Sequence, residues 1–92
     1  MRSYEQFKKR VLKGKDIRQE YDALGPEFAI IALLIRRRLQ RGMTQRELAA
    51  RVGTKQSAIS RLESGTYNPS LVFLRKVADA LDARLEVSIG IK

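Results

Sequence analysis

Ninety-two residues are enough for one small domain. The chain contains no cysteine and no histidine, which excludes disulfides, Cys/His metal sites and the commonest general base, and it suits a reducing cytosol. Nineteen Lys and Arg stand against ten Asp and Glu, and the formal charge of +9 favours a polyanionic partner over an enzyme's small substrate.

The first fifteen residues are basic: Arg2, Lys8, Lys9, Arg10, Lys13 and Lys15 face only Glu5. Tyr4, Phe7 and Val11 recur at helical spacing, so this stretch reads as an amphipathic helix or as a solvated terminus. Asp16–Leu24 reads as a second short helix, with Asp16 as cap and Ile17, Tyr21 and Leu24 as its stripe. Gly25-Pro26 breaks it, and Pro26 suits the first turn of the next helix. Glu27–Arg41 is expected to be the first helix of the core domain. Its first half, Phe28–Ile35, is apolar around the whole circumference. One face should pack inward, and the other needs a cover: residues 1–25, a second copy, or a different protein. The run is far shorter than the roughly 20 residues of a membrane span, and no signal peptide is evident. Its second half, Arg36–Arg41, is strongly basic and reads as a solvated or phosphate-facing end.

Met43–Gly65 carries the densest pattern. Thr44 with Glu47 three residues on is a capping box that opens a helix bearing Leu48, Ala49 and Val52. Gly53 suits its stop, and Thr54 is the expected cap of a second helix whose inner face carries Ile59 and Leu62 and which ends at Gly65. The opposite face presents Gln56, Ser57, Ser60 and Arg61, all able to bond a base edge or a phosphate and none acidic. Helix, short turn, helix with a polar outward face is the helix-turn-helix pattern. Thr66–Pro69 is a loop. Ser70 then caps a last helix with Leu71, Leu74, Val77, Ala78 and Leu81 facing inward; Leu34, Leu39, Leu48, Val52, Ile59 and Leu62 complete the expected core.

From Asp82 to Lys92 the period changes. Leu85, Val87, Ile89 and Ile91 alternate with Arg84, Glu86, Ser88 and Gly90, which is a strand pattern. A lone strand leaves a row of unpaired backbone groups. Pairing with the same strand of a second copy is the economical answer, with a disordered tail or a foreign sheet edge as alternatives.

Thr44, Gln45, Leu48, Ala49, Gly53, Ile59, Leu62, Glu63 and Gly65 together resemble the Cro and phage-repressor type of helix-turn-helix. The resemblance implies an all-α, five-helix (four to six) helix-turn-helix fold of the phage-repressor type, with the DNA-binding domain at 26–81, a helical extension at 1–25 and a dimerisation strand at 82–92. It implies that Arg38 pairs with Glu63. It implies that Gln56 reads adenine, that Gln45 buttresses it, and that Arg61, Ser57 and Ser60 meet bases or phosphates, with Lys55, Thr66 and Asn68 on the flanking backbone. Double-stranded DNA with an inverted-repeat site and a homodimer are the implied partners, with no cofactor. Glu20–Phe28 and Asp82–Val87 further resemble small HigA-type antitoxins, which bind a RelE-like ribosome-dependent RNase toxin and repress their own operon in the cytoplasm. A stand-alone regulator without a toxin partner is the alternative.

Overall fold

The computed structural model describes Lys9 and residues 26–65 and 68–91. The expectations for residues 1–25, apart from the helical backbone of Lys9, lie outside the described residues. Four helices follow one another among the described residues: α1 (Pro26–Gln40), α2 (Gln45–Val52), α3 (Gln56–Ser64) and α4 (Leu71–Ala80). α2 packs on α3 and on α4, and α1 packs on α3.

Side-chain spacing decides what each helix buries. α1 turns Ile31, Ala32, Leu34 and Ile35 inward, α2 Leu48 and Ala49, α3 Ile59 and Leu62, and α4 Leu74, Val77 and Ala78, with Leu81 closing the cluster. Each fully buried aliphatic side chain contributes about 1.5–3 kcal/mol relative to exposure. Two expected core residues are not buried. Leu39 at the end of α1 is 39% exposed and Leu71 at the start of α4 is 56% exposed. Both lie on the inward stripe of their helices, but at helix ends where that stripe runs out past the buried part. Val52 is half-buried against the cluster.

The helices stop in the same way. The residue after each cap region has a positive φ: Gly42, Gly53, Gly65 and Asp82. At Gly42 the closure is a complete Schellman motif, with Gly42 N–H donating to Leu39 O and Met43 N–H to Arg38 O, both at 3.0 Å. α4 ends with the same pair of bonds, Asp82 N–H to Asp79 O and Ala83 N–H to Ala78 O, although Asp82 has a Cβ. Its φ of 54° is a conformation that an aspartate tolerates better than most residues.

Three arginines explain why Asp82 is held there. Arg37 Nε donates to Leu81 O at 2.9 Å and its Nη2 to Asp82 O at 3.3 Å. Arg51 Nη1 donates to Ala80 O at 3.3 Å, and Arg41 forms an ion pair with the Asp82 carboxylate. Guanidinium groups from α1, α2 and the loop between them thus meet the negative end of the α4 dipole. The basic end of α1 therefore does not simply face solvent: Arg37 and Arg41 are tied to α4.

Residues 83–91 form no strand within the single chain. Among the described residues the expected strand has no neighbour to build a ladder with. Leu85 is half-buried against the core, while Val87, Ile89 and Ile91 stand exposed. Among the described residues no helix is long and apolar enough to cross a membrane.

Candidate nucleic-acid interface

Both helices of the motif are fixed at their ends before any side chain faces outward. Thr44 caps α2: Glu47 N–H donates to Thr44 Oγ1 at 3.0 Å, and Thr44 N–H donates back to Glu47 Oε1 at 3.4 Å. The turn to α3 is closed by Gly53 N–H and Thr54 N–H, both donating to Ala49 O at 2.9 Å. Thr54 is consequently part of the stop of α2 and not the cap of α3. The cap position belongs to Lys55, whose side chain makes no capping bond. A lysine cannot accept from the first-turn amides, so the positive end of α3 is left to its surroundings, next to a cation.

From that end, α3 presents Gln56, Ser57, Ser60 and Arg61 on its exposed side, with Lys55 exposed just ahead of them. Ile59, Leu62 and Glu63 are buried on the other side. The division follows from helical periodicity: residues three and four apart share a face, so one helix carries an apolar anchor and a polar outer edge.

Behind this polar edge lies a buried network. Arg38 is 7% exposed and Glu63 1%. Arg38 Nε donates to Glu63 Oε2 at 2.7 Å and Arg38 Nη2 to Glu63 Oε1 at 2.9 Å, a bidentate pair. The third guanidinium nitrogen, Nη1, donates to Met43 O at 2.8 Å. Gln45 Nε2 donates to Glu63 Oε1 at 3.0 Å. Glu63 therefore joins α1, the start of α2 and the end of α3 through one carboxylate. The Gln45 amide is oriented by this bond, so the donor that meets Glu63 is fixed and the carbonyl oxygen is turned elsewhere.

Of the expected interface residues, Gln56, Ser57, Ser60, Arg61 and Lys55 share α3 and its entry, and Gln45 sits half-buried behind them. Asn68 is exposed in the loop before α4, and Thr66 lies outside the described residues. Periodicity and spacing give no sign of the Arg37, Arg41 and Arg51 clamp, because all of its targets, apart from the Asp82 carboxylate, are backbone carbonyls. Among the described residues there is no group of three or more acidic, His or Cys side chains able to hold a metal ion.

Two short helices, a glycine-closed turn, and an anchored second helix with a polar outer edge define a helix-turn-helix. The family model for the helix-turn-helix matches residues 34–87, more than half of the chain, and the chain belongs to that family, of the Cro and phage-repressor type. A relative in Haemophilus influenzae, an uncharacterized HTH-type transcriptional regulator, is 31% identical over 85 residues, 92% of this chain and 83% of the relative. Another HTH-type regulator, from Archaeoglobus fulgidus, is 49% identical over 49 residues, 53% of this chain and 70% of its own. A third, from Methanothermobacter thermautotrophicus, is 45% identical over 49 residues, 53% of this chain and 71% of its own. No solved structure matches.

Proposed function

We propose that the chain is a transcriptional repressor that reads duplex DNA with α3. The observation that carries this reading is the exposed edge of Gln56, Ser57, Ser60 and Arg61 on a helix whose other side is locked into the core. In a homodimer two such edges lie about 34 Å apart and enter successive major grooves, so the operator is an inverted repeat. Gln56 pairs with adenine through N6 and N7, and Arg61 with guanine O6 and N7 or a phosphate. Ser57 and Ser60 complete the edge. Lys55, Asn68 and Thr66 hold the flanking phosphates, and Gln45 supports the reading helix from behind. Residues 26–81 form the reading unit, 82–92 join two copies, and 1–25 extend from the domain.

The test is selection of an operator from a random duplex pool, followed by binding of variants. Gln56→Ala and Arg61→Ala should each lose about 1–3 kcal/mol of discrimination at one base pair per half-site. Wild-type affinity and selectivity in either variant would remove that residue from the reading edge.

A finer reading makes the chain an antitoxin that neutralises a RelE-like RNase and represses its own operon. The likeness of Glu20–Phe28 and Asp82–Val87 to HigA-type antitoxins favours it, together with the apolar first half of α1. The toxin would meet residues 1–25 and the first turns of α1. Co-expression with the adjacent small reading frame should give a co-eluting complex. A chain that elutes without that neighbour's product is a stand-alone regulator.

A further inference from the structure

Between α1 and the chain leaving α4 runs a groove of about 470 Å³, lined by Ile30, Leu33, Leu34 and Arg37 on one side and Ala83 and Leu85 on the other. Beyond it the chain continues with Val87 62% exposed, Ile89 93% and Ile91 fully exposed. Alternation puts Leu85, Val87, Ile89 and Ile91 on one face. Leu85 already turns that face toward the core. The even-numbered residues take the other face, where the Arg84 and Glu86 side chains approach each other at 3.8 Å.

We infer that a second copy of this chain fills the groove. Residues 83–91 of the two copies pair antiparallel, with Val87 opposite Val87 on the twofold axis and Ile89 of each copy beside Leu85 of the other. The inference rests on the dimeric reading given above and fixes how the two copies meet.

Avoidance of like charges and ladder length together select this register. Opposed side chains must share a face, so only every second alignment brings apolar against apolar, and each such alignment centres on one residue. Centring on Glu86 sets Glu86 against Glu86, and centring on Ser88 sets Arg84 against Lys92; like charges directly opposite are unfavourable. Centring on Leu85 shortens the ladder, because Leu81 and Asp82 are held in the end of α4. Centring on Ile89 pairs only 87–91 among the described residues and leaves Leu85, at the mouth of the groove, outside that ladder. Centring on Val87 pairs Leu85 with Ile89, Ala83 with Ile91, Glu86 with Ser88 and Arg84 with Gly90. No like charges meet, and the partner's Ile89 is carried over Leu33 and Leu34. The occupant is chemically the chain's own: the groove edge and the exposed alternating face are contiguous in one molecule and self-complementary under a twofold.

The chain has no cysteine, so one introduced thiol reports its own neighbour. Single variants Leu85→Cys, Glu86→Cys, Val87→Cys, Ser88→Cys and Ile89→Cys are oxidised mildly in the full chain and run without reductant. Directly opposed residues in an antiparallel pair lie within the Cα separation that a disulfide spans. Val87→Cys should cross-link at least ten-fold faster than the others, and Leu85→Cys mixed with Ile89→Cys should give a heterodimer. A maximum at any other position, or a flat profile, overturns the register. Leu33→Asp tests the groove separately, at a position whose exposure lets the domain fold. It should raise the dimer dissociation constant at least ten-fold by sedimentation, and an unchanged constant overturns the groove as the seat. Operator binding is measured on the same samples. A dimer that binds its operator with a different cross-link pattern refutes this interface alone, whereas a monomer without operator affinity refutes the DNA-binding dimer as well.

Discussion

Glu63 is the residue on which the motif's geometry converges. It is 1% exposed and accepts from Arg38 Nε and Nη2 and from the Gln45 amide. Removing one member of such a pair leaves a buried charge without compensation, which costs about 3–5 kcal/mol. Glu63→Leu and Arg38→Met are each expected to lower stability by that amount in urea titration. The double variant should recover most of it, because an apolar pair of similar volume carries no desolvation cost. Equal losses in the singles and a doubled loss in the double would show that the two act independently. Nothing in composition or period marks Arg38 apart from Arg36, Arg37 and Arg41; only likeness to a known motif singles it out. The Gln45–Glu63 bond is not legible in the chain, since a glutamine at the start of a helix reads equally well as solvated.

Helices are the most legible level. The capping box at Thr44, the stops at Gly53 and Gly65 and the cap at Ser70 are written in residue types that only a few backbone conformations use, and α4 begins with Phe73 N–H donating to Ser70 Oγ at 3.1 Å. Where residue type misleads, the cause lies outside the residue itself. Thr54 suits a cap by type, but its amide closes the preceding helix, and the register moves on one residue to Lys55. Leu39 and Leu71 obey the apolar period, yet period states a direction and not how far a neighbour extends. The end of α4 offers a sharp test. Asp82 combines a left-handed backbone with an ion pair to Arg41. Asp82→Gly relieves the backbone and loses the pair, Asp82→Asn keeps local tolerance and loses the pair, and Asp82→Ala loses both. By thermal melts Asp82→Ala should be the least stable of the three, by about 1 kcal/mol. Asp82→Ala no worse than Asp82→Asn would mean that the left-handed turn carries no strain.

At the scale of the molecule, the helix-turn-helix and its outward edge are readable from the chain, whereas the groove beside α1 is not. Alternation at the C-terminus announces a strand, and none forms among the described residues, which offer it no ladder partner. The over-apolar first half of α1 points to a missing cover, but which of its residues stays open depends on how α1 rolls against α3. Leu33 is the one left facing out.

The arginine clamp on α4 changes what the net charge means. Arg37, Arg41 and Arg51 are engaged by carbonyls and a carboxylate at the end of one helix, and Arg38 by Glu63. These cations are engaged in the scaffold, and we expect them not to displace ions condensed on a duplex. The slope of log affinity against log salt changes by about 0.9 for each phosphate that the protein neutralises, so it reports the cations seated on DNA and not formal charge. Lys55→Ala should therefore flatten that slope by about 0.9 per half-site. Arg51→Gln should leave it unchanged while lowering the melting temperature. A chain of this design is expected to grip DNA through fewer ions than its nineteen Lys and Arg suggest.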